Sequence, residues 1–325
     1  MLATTDMRVL VLHDTPADFS HWLERECSEH QFCWAQRPDK VQSALEDFRP
    51  EVVFSIKHSE FPGAAHRPAL HFPSTRWFHV GGSGYEHLGR WDPQKVAVTN
   101  SAGVLAPFHA ERAMAGLLAL STGLLRARTA QQECRWSPER FATLEGKTLL
   151  IVGLGHTGRE LARRAASFGM TVVGVKRDRS VPVGFVDELR SPDELSHLWS
   201  RADVLSLNLP LNPKTRHLID RSVLAALPTH CIVLNGARGD VVEQEALIES
   251  LQQQRIGGAW LDVFHREPLP SDSPLWSMEN VLITPHTADQ VEDFPLRFAR
   301  LFVQNLRRFA EGAELINQVR PPGQV

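Results

Sequence analysis

Three side chains of complementary chemistry follow three apolar stretches late in the chain. Arg238 lies in NGARG after Cys231–Asn235, Glu267 in DVFHREP after Ile256–Val263, and His286 in TPH after Val281–Thr284. Each stretch reads as a buried strand, and ligands of an open parallel sheet gather outside the carboxyl ends of its strands. All three residues therefore emerge on one edge. A guanidinium grips a carboxylate bidentately and polarises an adjacent carbonyl. A histidine gives a proton to the alkoxide that forms as hydride arrives, or takes it back in reverse. A carboxylate beside that histidine favours the imidazolium and fixes its tautomer. The set suits reduction of a 2-oxo acid to a 2-hydroxy acid. One histidine among 15 carries little weight alone; the shared placement of all three carries the reading.

Such chemistry needs a hydride source, and the stretch Lys147–Gly174 (KTLLIVGLGHTGRELARRAASFGMTVVG) offers a place for one. The apolar run 149–152 reads as a strand. Gly153, Gly155 and Gly158 follow in G-x-G-x-x-G spacing, and Leu161, Ala162, Ala165, Ala166 and Phe168 form one side of a helix. Gly169 stops that helix, and 171–175 reads as a second strand. In this frame the first glycine permits the tight turn, the second lets the backbone approach a pyrophosphate, and the third lets helix and strand pack closely. The phosphates would sit on free N–H groups at the helix start, at His156 and Thr157.

The residues after the second strand bear on which dinucleotide binds. An NAD-selective site has an acidic residue there to accept from the ribose hydroxyls. Here that place holds Lys176, with Arg177 and Arg179 just beyond, and cations pair with a 2′-phosphate instead. Asp178 falls two places late and is expected to face solvent. The expectation is a preference for NADP(H), with NAD possible.

Strands are predicted at 7–13, 51–56, 77–80 and 96–99, with a helix carrying Trp22 and Leu23 after the first. This first hundred residues reads as a small α/β domain. Pro107–Arg128 reads as one long helix, a bridge between domains or a subunit contact. Beyond the glycine-rich unit, strands at 203–208, 231–235, 256–263 and 281–284 alternate with helices at 221–227 and 244–253. Phe294–Phe309 is the last strong helix, and the tail VRPPGQV is expected to be disordered. Gly81–Gly84 reads on its own sequence as a turn or as a nest of N–H groups for an anion.

Composition narrows the setting. With 325 residues, about two domains are expected. A net charge of −3 gives no argument for nucleic acid or a membrane surface. No run approaches the roughly 18 apolar residues of a membrane span. The start, MLATTDMRVLVLHD, lacks the pattern of a secretion signal. Cys27, Cys33, Cys134 and Cys231 are scattered, without a C-x-x-C pair, and are read as reduced packing residues. A soluble, cytoplasmic protein without a metal site is expected.

Five ordered motifs then carry a resemblance: LEGKTLLIVGLGHTG (144–158), ADVLSLNLPLNPKTRHLI (202–219), VLNGARGDVVEQEAL (233–247), GGAWLDVFHREPLP (257–270) and NVLITPH (280–286). The sequence resembles the D-isomer-specific 2-hydroxyacid dehydrogenases, glyoxylate and hydroxypyruvate reductases among them, over nearly its whole length. The resemblance implies two flavodoxin/Rossmann-like α/β domains with doubly wound parallel sheets. The nucleotide domain (104–290) is inserted into the substrate domain (1–103 and 291–325). Arg238 becomes the substrate binder, Glu267 the partner of the acid, and His286 the proton donor and acceptor. Leu209, Pro210, Asn235 and Ala237 fall in the cofactor-binding motifs, and Asp262 matches the aspartate that holds the nicotinamide carboxamide. The substrate carboxylate would meet backbone N–H groups at Ser83 and Gly84. TNSAG (99–103) with Glu111 matches the crossing between domains, and a homodimer is implied.

The sequence also departs from the pattern. Trp260 stands where a small residue is common, and Thr-Ala-Asp-Gln follows His286 in place of the more usual small and hydroxyl residues; both departures bear on the shape of the pocket and hence on the substrate. Lys57 and His58 are candidate pocket residues. Without an extension after the last helix, serine-biosynthesis enzymes with appended domains are poor matches, and Glu267 argues against the formate-dehydrogenase branch. The favoured reading is an NADPH-linked reductase of glyoxylate and hydroxypyruvate. Its rivals are an NAD-linked dehydrogenase of larger 2-hydroxy acids, separable by pocket volume near Lys57, Ser83 and Trp276, and a non-catalytic corepressor-like scaffold that senses the dinucleotide.

Overall fold

The computed structural model describes residues 6–15, 17, 19–56, 61–288 and 290–321. Lys57, His58 and Asp289 lie outside the described residues. The chain divides into two compact units: residues 1–105 with 291–325, and residues 106–290.

The first unit is built on strands β1 (Arg8–Leu12), β2 (Gln31–Ala35), β3 (Val52–Ile56), β4 (Trp77–Gly81) and β5 (Ala97–Asn100). Their order in the sheet is β5-β4-β3-β1-β2, all parallel. Runs such as RVLVL and VVFSI are apolar throughout because helices cover both faces of a parallel sheet. Val9, Phe54 and Trp77 pack on one face against the helix Phe294–Ala310, and Leu10, Val53 and Phe78 on the other. Phe302 of that helix stacks on Phe54 at 4.6 Å and on Trp77 at 5.1 Å. β2 escapes the sequence pattern because QFCWA is only half-buried along most of its length. Of the segment expected to be disordered, residues 319–321 have a defined place, which is a correction, and residues 322–325 lie outside the described residues. Gln318–Val319 forms an antiparallel strand on the edge of β5, and Pro321 is buried.

The same sheet holds a buried polar network. The Trp77 indole donates to the Thr99 hydroxyl at 2.9 Å. Thr99 Oγ1 lies 2.6 Å from His79 Nδ1, and Ser101 Oγ lies 3.0 Å from His79 Nε2. A neutral imidazole with Nε2–H facing Ser101 and Thr99 donating to Nδ1 satisfies every partner. Burial pushes the His79 imidazole down to about 3. Between that value and the ordinary 6.5, only the unfolded chain binds the proton, so stability falls as pH drops through this window. The slope is about 1.4 kcal/mol per pH unit below 6.5. Thermal melting from pH 7 to pH 4 checks this: His79→Gln is expected to flatten the fall, and an unchanged slope would contradict it.

The second unit carries seven parallel strands: β6 (Thr148–Val152), β7 (Thr171–Val175), β8 (Glu188–Arg190), β9 (Val204–Leu207), β10 (Ile232–Asn235), β11 (Gly258–Leu261) and β12 (Val281–Ile283). With the tail strand counted as β13, the first sheet has six strands, and the second runs β12-β11-β10-β9-β6-β7-β8. The chain direction across the sheet reverses between β6 and β9. That is the switch point at which α/β sheets open a crevice at the carboxyl ends of their strands. The short, polar ELR of β8 gave no strand signal.

The long helix expected at 107–128 is two. They span Ala106–Ser121 and Leu124–Gln132, broken at Gly123, whose φ of 71° is left-handed. Trp260 is a second correction. It is 2 % exposed in a core with Met114, Leu117 and Leu234, so its bulk fills the interior and not a pocket. Two glycines make room for it. A β-carbon on Gly116 would stand 2.5 Å from Trp260 Cγ, and one on Gly236 would stand 3.1 Å from its far edge. The ring is hemmed in on both sides. Gly116→Ala gains about 1 kcal/mol of helix propensity and loses about 1–3 kcal/mol to overpacking, so net destabilisation is expected. Denaturant unfolding of Gly116→Ala, Trp260→Val and the double variant checks the contact. The pair should be less destabilised than the two singles summed, whereas strict additivity would disprove the clash.

Among the described residues, no helix is long and apolar enough to cross a membrane, and no group of His, Cys, Asp or Glu is spaced to hold a metal ion.

Candidate active site

The glycine turn sits at the switch point. β6 ends at Val152, Gly153 turns with φ 104°, and the helix His156–Ser167 starts after Gly155. A β-carbon on Gly153 or Gly158 would overlap a backbone carbonyl oxygen, of Asn208 or of Gly153 itself. Around Gly155 there is open space. Gly155 and His156 are exposed and Thr157 half-buried, and the first turn of the helix carries no acidic side chain. Leu209 and the exposed Pro210, in the loop after β9, border the turn; Leu209 is 3.1 Å from the place a Gly153 β-carbon would take. This donor set fits a pyrophosphate.

Lys176 follows β7 directly, and its N–H donates to the Arg190 carbonyl at 3.1 Å. Its side chain is half-buried, Arg177 is exposed, and neither makes an ion pair among the described residues. Arg179 differs: its guanidinium lies 3.5 Å from Glu194. Asp178 is exposed and folded onto its own loop, accepting from the Ser180 hydroxyl at 2.6 Å and the Ser180 N–H at 2.9 Å. Those donors hold its carboxyl below the ordinary range.

The three reactive residues all leave carboxyl ends of strands in this unit. After β10, the buried Asn235 shapes the turn: its Oδ1 accepts from Ala237 N–H at 3.1 Å and its Nδ2 donates to the Arg238 carbonyl at 3.2 Å. Arg238 is exposed, and its Nη1 donates to the Ala237 carbonyl at 2.6 Å. Gly239 lies so close to the Phe264–His265 backbone that no side chain fits between them. Asp240, in the same turn, accepts from His265 at 2.5 Å and pairs with Arg216. These two donors hold its carboxyl low, His265 contributing most. Asp240 thereby ties the arginine turn to the loop that carries Glu267.

His286 sits at φ 52°, a left-handed conformation that costs energy unless its surroundings impose it. Asp262 imposes it. Its carbonyl accepts from His286 N–H at 2.8 Å. Its carboxylate, 1 % exposed as a residue, accepts from the Thr284 hydroxyl at 2.5 Å, Thr287 N–H at 3.0 Å and Ala288 N–H at 3.1 Å. Asp262 and Asn235 thus spend most of their hydrogen-bonding capacity on the turns beside them. Glu267 accepts from Phe264 N–H at 3.0 Å with one oxygen and faces His286 Nδ1 at 2.7 Å with the other. A carboxylate only accepts, so Nδ1 carries the hydrogen and Nε2 is left to exchange a proton. Beside the pair lies a cavity of about 430 Å³ lined by Phe264, Leu269, Trp276, Ile283 and Pro285.

Comparison with known proteins gives this geometry a context. Residues 114–288 match the family model described as D-isomer specific 2-hydroxyacid dehydrogenase, NAD binding domain. The chain belongs to the D-isomer-specific 2-hydroxyacid dehydrogenase family. Its members are NAD(P)-dependent oxidoreductases. A glyoxylate reductase of Korarchaeum cryptofilum is 34 % identical over 261 residues, covering 74 % of this chain and 76 % of its own. A D-3-phosphoglycerate dehydrogenase of Methanocaldococcus jannaschii is 32 % identical over 231 residues; the match takes in 70 % of this chain but 44 % of that protein. A solved family member from Xanthobacter autotrophicus, in complex with NADPH and MES, superposes with a TM-score of 0.77 at 28 % identity, over 97 % of this chain and 98 % of that one.

Within this family member, Ser83 and Gly84 belong to the first unit, where both are exposed after β4. Three supporting residues went unread in the sequence: Asp240, His265 and Thr284. Asp240 adjoins Arg238 in NGARGD, but its partners stand 24 and 25 positions away, and no local pattern announces them.

Proposed function

We propose that this protein reduces small 2-oxo acids to D-2-hydroxy acids with NADPH, glyoxylate and hydroxypyruvate foremost. The observation that carries the reading is the His286–Glu267 couple at 2.7 Å, placed at strand ends of the unit that also bears the glycine turn. Gly153, Gly155, His156, Thr157 and Gly158 would hold the dinucleotide's pyrophosphate. When bound, a reduced nicotinamide supplies the hydride that the carbonyl carbon takes up. Arg238 binds the substrate carboxylate and polarises the neighbouring carbonyl. His286 gives the Nε2 proton to the carbonyl oxygen as it becomes an alkoxide, while Glu267 accepts from Nδ1–H and steadies the imidazolium. The N–H groups of the exposed Ser83 and Gly84 suit a carboxylate as well. NADPH pools favour reduction, which sets the proposed direction.

The cofactor half rests on Lys176 and Arg177, two cations without ion-pair partners among the described residues, and on Asp178 being turned onto Ser180. Arg179 contributes less, since Glu194 already faces it. Comparing kcat/KM for the two cofactors tests this half; NADPH should be preferred, and equal or better use of NADH would sink it.

The proposal includes a cytoplasmic homodimer with its contact along 106–132. In its favour, Leu124 is 57 % exposed in that segment and Trp136 is 95 % exposed just beyond it. A second reading keeps the chemistry and enlarges the substrate. The apolar cavity beside Trp276 favours it, and higher kcat/KM for 2-oxo acids with bulky apolar side chains than for glyoxylate would select it.

A further inference from the structure

We infer that the C-terminal segment Ile316–Val319 is a positioning element for the Gly82–Gly84 loop, with Asn317 as its key residue. The inference rests on the reading that the N–H groups of Ser83 and Gly84 receive the substrate carboxylate. Asn305 is fully buried on the helix Phe294–Ala310. Its amide brackets one residue of the tail, donating to the Ile316 carbonyl at 3.0 Å and accepting from Ile316 N–H at 2.8 Å. That fixes where the tail meets the sheet. The next residue, Asn317, has a φ of 57°, a left-handed value that asparagine tolerates better than most side chains. Its carbonyl accepts from Asn100 N–H at 3.1 Å, and its Nδ2 donates to the Ala102 carbonyl at 2.8 Å. The two residues of that last bond are 215 positions apart.

The segment held in this way carries the loop. Asn100 Nδ2 donates to the Ser83 carbonyl at 2.7 Å, its Oδ1 accepts from Ala102 N–H at 3.2 Å, and Ser101 N–H donates to the Gly82 carbonyl at 2.8 Å. A trans peptide is planar, with its C=O and N–H pointing in opposite directions. The Gly82 carbonyl shares a peptide plane with Ser83 N–H, and the Ser83 carbonyl shares one with Gly84 N–H. Anchoring those two oxygens on residues 100 and 101 therefore aims the two N–H groups away from the anchor. Both are the groups assigned to the carboxylate, and both residues are exposed. The tail acts through Asn100 and touches no reacting atom, so Asn317 is a positioning residue.

The test is steady-state kinetics on the full-length protein with glyoxylate and NADPH. Asn317→Gly keeps the left-handed backbone and removes the bond to Ala102. Asn100→Ala removes the bond to Ser83 and serves where the first variant folds poorly. Each is expected to raise KM for glyoxylate on the order of 3- to 10-fold, the effect of one neutral hydrogen bond, while kcat and the Kd for NADPH stay within about twofold. A lowered melting temperature with an unchanged KM in folded variants would overturn the inference, because it would leave the tail a merely structural role. Ser83→Pro, which deletes one of the two N–H groups, separates the levels. If it raises KM and the asparagine variants do not, the positioning role fails and the loop's assignment stands. If Ser83→Pro leaves KM unchanged, the assignment itself fails and the inference falls with it.

Discussion

Replacing His286 by glutamine is expected to lower kcat for 2-oxo acid reduction by a factor on the order of 100 or more, with little change in the Kd for NADPH. The size follows from what the side chain is held to do. Glu267 occupies Nδ1 at 2.7 Å, and three donors onto the Asp262 carboxylate hold the turn that sets the ring's backbone at φ 52°. The fold thus fixes a strained position for one titrating group. Glutamine can still donate a hydrogen bond there, but it releases no proton near neutral pH. The loss should therefore fall on the chemical step. Near-normal kcat in a folded His286→Gln variant would remove the residue from the role given to it.

Arg238→Ala is expected to lower kcat/KM by a factor on the order of 100 or more, because two charge-assisted hydrogen bonds of about 1.5–3 kcal/mol each are at stake in a bidentate grip. Arg238 makes no ion pair among the described residues, and its contact at 2.6 Å is to a neutral carbonyl, so its charge is available to an anion. Arg238→Lys restores the charge without the planar fork and should recover only part of the loss. Steady-state kinetics on glyoxylate for the three proteins checks this. Equal kcat/KM for Arg238→Ala and the parent protein would exclude a substrate contact, and full recovery by lysine would exclude the bidentate grip.

Much of the second unit was legible because its signals are local. A carbonyl oxygen stands where Gly153 or Gly158 would place a β-carbon, so those positions exclude any side chain, and the exclusion is visible in the spacing. Likewise, strands buried on both faces must be apolar throughout, which made the ends bearing Arg238, Glu267 and His286 countable. The failures are non-local. The buried place of Trp260 was not legible because Gly116 and Gly236, which make room for it, carry no mark of their purpose. The start of the tail gave no strand signal because prolines follow it closely, while the pairing of Gln318–Val319 on β5 is prepared by Asn305 and Asn100, which hold the preceding Ile316 and Asn317 from distant elements. Gly123 split a helix whose flanks on both sides favour continuation. Asp240 is legible only once its turn lies against His265.

Under the proposed function these side chains turn over a 2-oxo acid and do not merely frame a bound dinucleotide. Oxidation of NADPH and of NADH, followed across a panel of 2-oxo acids that runs from glyoxylate and hydroxypyruvate to bulky apolar ones, tests it most directly. Turnover of glyoxylate or hydroxypyruvate, with NADPH preferred, is the expected result. Tight NADPH binding with no turnover of any 2-oxo acid would contradict it.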